Sequence, residues 1–327
     1  MTMRLLSASS ADALALAPAW RAPLITVLLA LLARWWLPDQ LGLLSHIVIM
    51  ALLVISLDLV VGIAGLATLG HGALFGVGAY AAGIFASRVS GDPLLGLGVA
   101  LVVGAVFALI TGLFLLRYQG FTFLMLTVAV VQITANLAQK ARAWTGGDDG
   151  LNSYTMNPLL GHFEFDLDGR VGSLYVIAVL GIGYWLAKRV LQSPFGLAVR
   201  GIHENRARMA ALGTPVFKRL LGMYVFAGAL AGVAGALSAQ TNGIVALDSL
   251  SFALSAEILV MLILGGTGTL NGAVIGAVIF TLLHHTAASI NPYHWLFVIG
   301  TALMLVVILP PHKWGGLLAR LRSGRAA

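Results

Sequence analysis

Charged residues make up only 9% of this chain, against about 25% in a soluble domain. Charge that scarce cannot coat the water-facing surface of a 327-residue protein. Lipid must cover most of it. The hydrophobic share is 59% and the mean hydropathy is +0.96. The 39 glycines suit helices packed closely in a bilayer. They do not suit a β-barrel, whose strands alternate apolar and polar residues. An all-α polytopic membrane protein is expected. The net charge of +7 reads as a topology signal rather than an affinity for nucleic acid. With no cysteine in the chain, disulfides, thiolate metal sites and cysteine nucleophiles are excluded.

A spanning helix needs about 20 apolar residues. About ten stretches fit: 22–38, 41–61, 66–87, 94–116, 120–139, 172–190, 217–240, 251–267, 271–289 and 293–310. The first contains Arg34, which can snorkel to the interface. The third and eighth are interrupted by glycine and are expected to bend or re-enter. The opening "MTMRLLSASSADALALAPAW" has a broken apolar run, unlike a signal peptide, and reads as a cytoplasmic tail over 1–21. The transmembrane domain then covers 22–310, followed by a basic tail over 311–327.

Orientation follows from the loops. Segment 188–219 carries Lys188, Arg189, Arg200, Arg206, Arg208, Lys218 and Arg219 against one acid, Glu204. The C-terminal tail carries Lys313, Arg320, Arg322 and Arg325. Both belong inside by the positive-inside rule. An even number of spans separates them, and counting back places the N-terminus inside too. Loop 141–171 then falls outside, with Asp148, Asp149, Glu164, Asp166 and Asp168 against Arg142 and Arg170.

A faint repeat links "GIAGLATLGHGALFG" (62–76) to "GIVALDSLSFALSAE" (243–257). The copies follow the second and seventh spans, which run in opposite directions. That is the pattern of an inverted-topology repeat, a common transporter plan.

The least lipid-like stretch is "SPFGLAVRGIHENRARMAALGTP" (193–215). Pro194 suits a helix start, and Gly213 suits the left-handed position after a helix end. Thr214 and Pro215 read as the cap and first residue of the next span. A short helix over 197–212 is expected on the inside face. Leu197, Val199, Ile202, Met209 and Leu212 would anchor it, and Glu204, Asn205, Arg206 and Arg208 would face a partner. The same composition also suits a basic amphipathic helix resting on anionic headgroups.

The run from Ser193 to Leu237 resembles the permeases of branched-chain amino-acid ABC importers, specifically the LivM-type subunit. Four other blocks are similar in the same order: "GIAGLATLGHGALFGVGAYAAG" (62–83), "TGGDDGL" (145–151), "SAEILVMLILGGTGTLNGAVIGA" (255–277) and "LPPHKWGGLL" (309–318). The resemblance covers about residues 40–318. It implies that the short helix couples the permease to its ATPases, through Arg200, Glu204, Asn205, Arg206, Arg208, Ala210, Ala211 and Gly213. It implies a second homologous permease, two ATPase subunits that bind the ATP, an extracytoplasmic solute-binding protein and a bacterial inner-membrane location. The chain departs from the family pattern at Asp58, where Asn is usual. Lesser departures are Leu66 and Ala67, Asn271 for an aromatic, and Ala273 for proline.

An acid within a span is costly and marks a functional site by default. Asp58 and Glu257 are therefore candidates for the translocation path. Asp58 equally suits a cap at the bend before Gly62. His71, between glycines, is a further path candidate, though a packing role suits it as well. Gly265 and Gly266 should unwind a helix, which is tolerated only against protein or a water-filled path. The pairs Gly72/Gly76, Gly228/Gly232 and Gly272/Gly276 have the spacing that lets helices approach closely. His284 and His285 point about 100° apart on a helix and make a poor metal pair, so no metal site is expected. No P-loop sequence is present, so the chain needs no cofactor of its own and is not expected to be an enzyme. The alternative is a stand-alone secondary transporter or channel working through Asp58 or Glu257.

Overall fold

The computed structural model describes residues 21–36, 40–152, 154–158, 170–290 and 300. Among them the chain is helical: α1 (Arg21–Trp36), α2 (Leu41–Asp58, prolonged by a π-helical turn Leu59–Ile63), α3 (His71–Arg88), α4 (Pro93–Leu115), α5 (Phe121–Lys140), the short α6 (Arg142–Thr145), α7 (Arg170–Gln192), α8 (Pro194–Glu204), α9 (Arg206–Ala211), α10 (Val216–Asn242), α11 (Phe252–Gly265) and α12 (Leu270–Ile290). Extended pairing among the described residues is limited to one isolated bridge, Leu151 with Val245.

Six of these helices are long and apolar enough to cross a membrane: α2 with its π turn, α4, α5, α7, α10 and α12. Six of the about ten expected spans are thus seen among the described residues, and glycine supplies the main reason that others are shorter. The expected third span loses its first turns because Gly65 takes φ +71° and residues 64–70 are not helical. The remaining helix, α3, is diluted by four glycines, His71 and Arg88. The expected eighth span is the 14-residue α11, which stops at Gly266 with φ +93°. Fourteen residues rise about 21 Å, short of a hydrocarbon core of about 30 Å. The first span is a 16-residue helix, α1. Apart from residue 300, the expected span 293–310 lies outside the described residues, as do residues 1–20 and 311–327.

The centre of the bundle is α2, which is apolar all round, as a helix surrounded by others should be. Its residues from Val48 to Val60 are buried throughout. α10 packs most extensively on α4 and α3, and it does so through missing side chains. A Cβ on Gly232 would meet Ala100 O and Gly104 Cα, and one on Gly78 would meet the Gly232 backbone. Gly228 is closed in by Ala108, and Gly235 by Phe75 O and Ala79 N. A second seam joins α11 to α12, where Gly265, Gly272 and Gly276 exclude one another's Cβ. The glycine pairs thus serve packing, as their spacing implied.

The two ends of the bundle differ. At one end, called here the basic end, lie the π turn, α8, α9 and the α11–α12 turn. At the opposite end, Leu151 and Val245 exchange backbone hydrogen bonds of 2.8 and 2.9 Å. There Tyr154 Oη donates to Ala239 O at 2.8 Å, and the Arg88 guanidinium stacks 3.8 Å above Trp144. Burial pushes the Tyr154 phenol above its usual pKa, so it stays a donor.

Candidate functional site

The segment after α7 is two helices, not one. Ser193 caps α8 by accepting from Gly196 N, with Pro194 in the first turn. The expected continuous helix over 197–212 is broken at Asn205, which is extended at φ −155°, ψ 97°. The physical reason is local competition: a short carboxamide satisfies backbone donors better from a cap than from a helix interior. Asn205 Oδ1 accepts from Arg208 N at 2.9 Å and so starts α9. Gly213 at φ +81° closes α9, and Thr214 N reaches back to Met209 O at 3.1 Å, a left-handed stop. The next helix begins at Val216, with Pro215 rather than Thr214 at the cap position.

Burial sorts this pair of helices into two faces. Val199 and Ile202 are buried in the core of the bundle, and Met209 lies over Gly201. Two expected anchors face outward instead: Leu197 is 61% exposed and Leu212 72%. With them on the outer face stand Arg200, Glu204, Asn205, Arg208, Ala211 and Gly213, while Arg206 is half-buried. The apolar side is therefore already occupied by the protein. The outer side mixes charge with two bare leucines.

Behind α8 lies a junction of broken backbone. Asp58, on the last turn of α2, is fully buried. Its Oδ1 accepts from Gly268 N at 2.7 Å, across 210 residues of sequence. Its Oδ2 has no hydrogen-bond partner. A Cβ on Gly62 would meet Asp58 Oδ1 and the Gly268 backbone. On the other side, the His203 ring of α8 fills the space beside Gly65. The structure thus brings Asp58 together with the turn that follows Gly265 and Gly266, both half-buried.

The remaining candidates lie elsewhere. His71 opens α3, fully buried, its ring towards the Ser56 carbonyl but with neither nitrogen in a well-formed hydrogen bond. Beside it, Gly72 N donates to Ser255 Oγ at 3.0 Å, joining the starts of α3 and α11. Glu257 is half-buried on α11. Among the described residues no cluster of His, Asp and Glu could hold a metal.

Sequence reasoning had no reason to pair Asp58 with Gly268, His203 with Gly65, or Gly72 with Ser255. The one available signal was the 62–76/243–257 similarity, because both copies end at these helix starts. Asn271, which departs from the expected aromatic, accepts a hydrogen bond from Tyr184 Oη.

The arrangement defines a multi-pass helical membrane protein with broken helices and a charged helix pair at one end. Residues 40–309 match the family model described as the permease component of branched-chain amino acid transport systems, and the chain belongs to that family. Its members are transport components rather than enzymes. The chain is similar to the high-affinity branched-chain amino acid transport system permease protein LivM of Salmonella typhimurium, at 27% identity over 299 residues, covering 83% of this chain and 69% of that protein. It is 25% identical over 277 residues to LivM of Escherichia coli, covering 78% and 65%. It is also 29% identical over 244 residues to a probable branched-chain amino acid transport permease protein LivH of Methanocaldococcus jannaschii, covering 70% and 72%. The match therefore spans about two thirds of the length of the two enteric relatives. No solved structure matches the chain.

Proposed function

We propose that this chain is one of two permease subunits of an ABC importer, and forms half of a path for branched-chain amino acids or a related small polar solute. A homologous permease forms the other half, two ATPase subunits bind the ATP, and an extracytoplasmic binding protein delivers the solute. The names of the relatives support a pair of permeases, since both LivM and LivH are similar to this chain. The positive-inside rule supports a basic end in the cytoplasm, with both termini inside, in a bacterial inner membrane. It supports an extracytoplasmic position for loop 141–171.

The observation that carries this reading is the two-faced helix pair α8–α9. A helix that rests on headgroups turns its apolar face to lipid. Here that face, Val199 and Ile202, is occupied by the bundle. What remains outward is an interface-like mixture: Leu197 and Leu212 ringed by Arg200, Glu204 and Arg208. Such a face suits a groove on an ATPase better than a bilayer surface.

The two break-and-helix units, 62–88 and 243–265, support an inverted repeat. Each leaves a long helix (α2 or α10), crosses a stretch without α-helix and starts a new α-helix, and the two starts meet at Gly72 and Ser255. Half-helices meeting inside a bundle are a transporter device. The reading as a stand-alone transporter has less support, because Asp58 is engaged by Gly268.

The test uses the cysteine-free background. Ala207→Cys should cross-link to the partner ATPase in the assembled complex, and an impermeant thiol reagent should reach Asp149→Cys only from outside. Cross-linking of residue 207 to lipid alone, with no ATPase captured, would remove the coupling assignment.

A further inference from the structure

Two interruptions of the chain meet at Asp58, and the helix α8 lies against them. The first is the π turn Leu59–Ile63 with the left-handed Gly65. The second is the α11–α12 turn, where Gly266 and Gly268 have φ +93° and +83°. Regular helices satisfy their own backbone groups, but these interruptions cannot. The Gly268 N–H depends on Asp58 Oδ1 for its partner, and Gly62 leaves no room for anything between them.

The link to α8 is a direct contact. His203 of α8 packs on Gly65. One oxygen of the Asp58 carboxylate is committed to the turn, and the other is unpartnered. A displacement of α8 reaches the junction by contact, through His203.

We propose that Asp58 is the positioning residue of a latch at the basic end: Oδ1 holds the α11–α12 turn against the end of α2, and His203 seats α8 on the same junction at Gly65, so that movement of α8 is transmitted to the turn. The proposal rests on the permease reading for its role in transport, but the latch itself is a property of this chain alone. An amide at position 58 keeps the acceptor. A methyl group loses it.

Ala64→Cys is the reporter: Ala64 is buried between Gly62 and Gly65, and the native chain has no other thiol. A water-soluble maleimide should label it slowly. Adding Asp58→Ala should accelerate labelling at least about tenfold, a shift of about 1.4 kcal/mol in the opening equilibrium. Adding Asp58→Asn should leave the rate within about twofold of the parent. In the complex with its ATPases, His203→Ala should lower ATP-driven uptake when residue 58 is Asp and have no further effect when it is Ala. Should the alanine variant fail to insert, Asp58→Ser, whose shorter side chain cannot span to Gly268, is read in the same assay. Labelling of the alanine or serine variant at the parent rate overturns the latch. Equal losses from His203→Ala in both backgrounds overturn the transmission. Wild-type uptake independent of ATP would overturn the permease reading while the labelling result still decides the latch.

Discussion

The α3–α4–α10 slab and the basic-end junction both rely on glycine to bring backbone against backbone, yet they are opposite kinds of contact. In the slab, Gly78, Gly104, Gly228, Gly232 and Gly235 sit in unbroken helices whose peptide groups are satisfied internally. Close approach there adds dispersion over a long seam and leaves no polar group in need. At the junction, Gly62 meets Gly268 where both chains have left regular helix, and one hydrogen bond from Asp58 joins them. A bond to a charged acceptor contributes about 1.5–3 kcal/mol. One seam must be rebuilt to part; the other needs one bond exchanged. The slab is a frame and the junction is a joint.

The sharpest way to break this comparison is Gly232→Leu. Its Cβ would enter Ala100 O and Gly104 Cα, which are backbone and cannot rotate away. Overpacking costs about 1–3 kcal/mol even where side chains yield, so the expected loss here is at least about 3 kcal/mol. Folded protein recovered in detergent, and its melting temperature, are the measurements. A variant with wild-type melting would show that the slab is not a frame.

Gly62→Ala comes next. The added methyl group would strike Asp58 Oδ1 and the Gly268 backbone. The turn can retreat because it is not helical, so the expected stability cost is about 1–2 kcal/mol, low in the overpacking range. Uptake should nevertheless be lost. If Gly62→Ala lowered the melting temperature as much as Gly232→Leu while leaving uptake normal, frame and joint would have to be exchanged.

The slab was legible in the sequence and the joint was not, for a physical reason. Helix seams repeat every four residues, so Gly228 and Gly232 announce themselves by spacing. The breaks at Gly65 and Gly266 were also readable, since glycine permits a left-handed turn. What spacing cannot give is partnership across 210 residues. Asp58 read equally as a path residue or a cap; it is bonded to a backbone N–H of another helix pair. The helical segment after α7 was legible from its ends, Pro194 and Gly213. Its break at Asn205 was missed because a capping residue inside an otherwise continuous helix-like pattern was read as facing a partner.

That break gives the third prediction. Asn205→Ala removes the acceptor for Arg208 N, and losing such a cap costs about 0.5–2 kcal/mol. α9 is short and exposed, so the loss should appear as faster amide exchange over 206–211. The slab should keep its protection. Exchange that also quickens in α10 would tie the α8–α9 segment to the frame rather than to the joint.

The smallest expected effect on the fold belongs to Glu204→Lys, and it is the most telling about contact. Glu204 is exposed and has no ion pair among the described residues. It occupies the last position of α8, where the helix dipole disfavours an acid and favours a cation by about 0.3–1 kcal/mol. Lysine should therefore leave the melting temperature unchanged or slightly raised. Nothing in the chain's own fold calls for an acid here, and it is the sole acid among the bases of 188–219. Reversing it should repel whatever basic surface it meets. Uptake by the complex should then fall to background, and co-purification of the ATPases should weaken, while labelling of Ala64→Cys stays slow because the joint is untouched. Normal uptake with normal co-purification would show that the outer face of α8 is not the contact, and would leave the joint without a driver on this side.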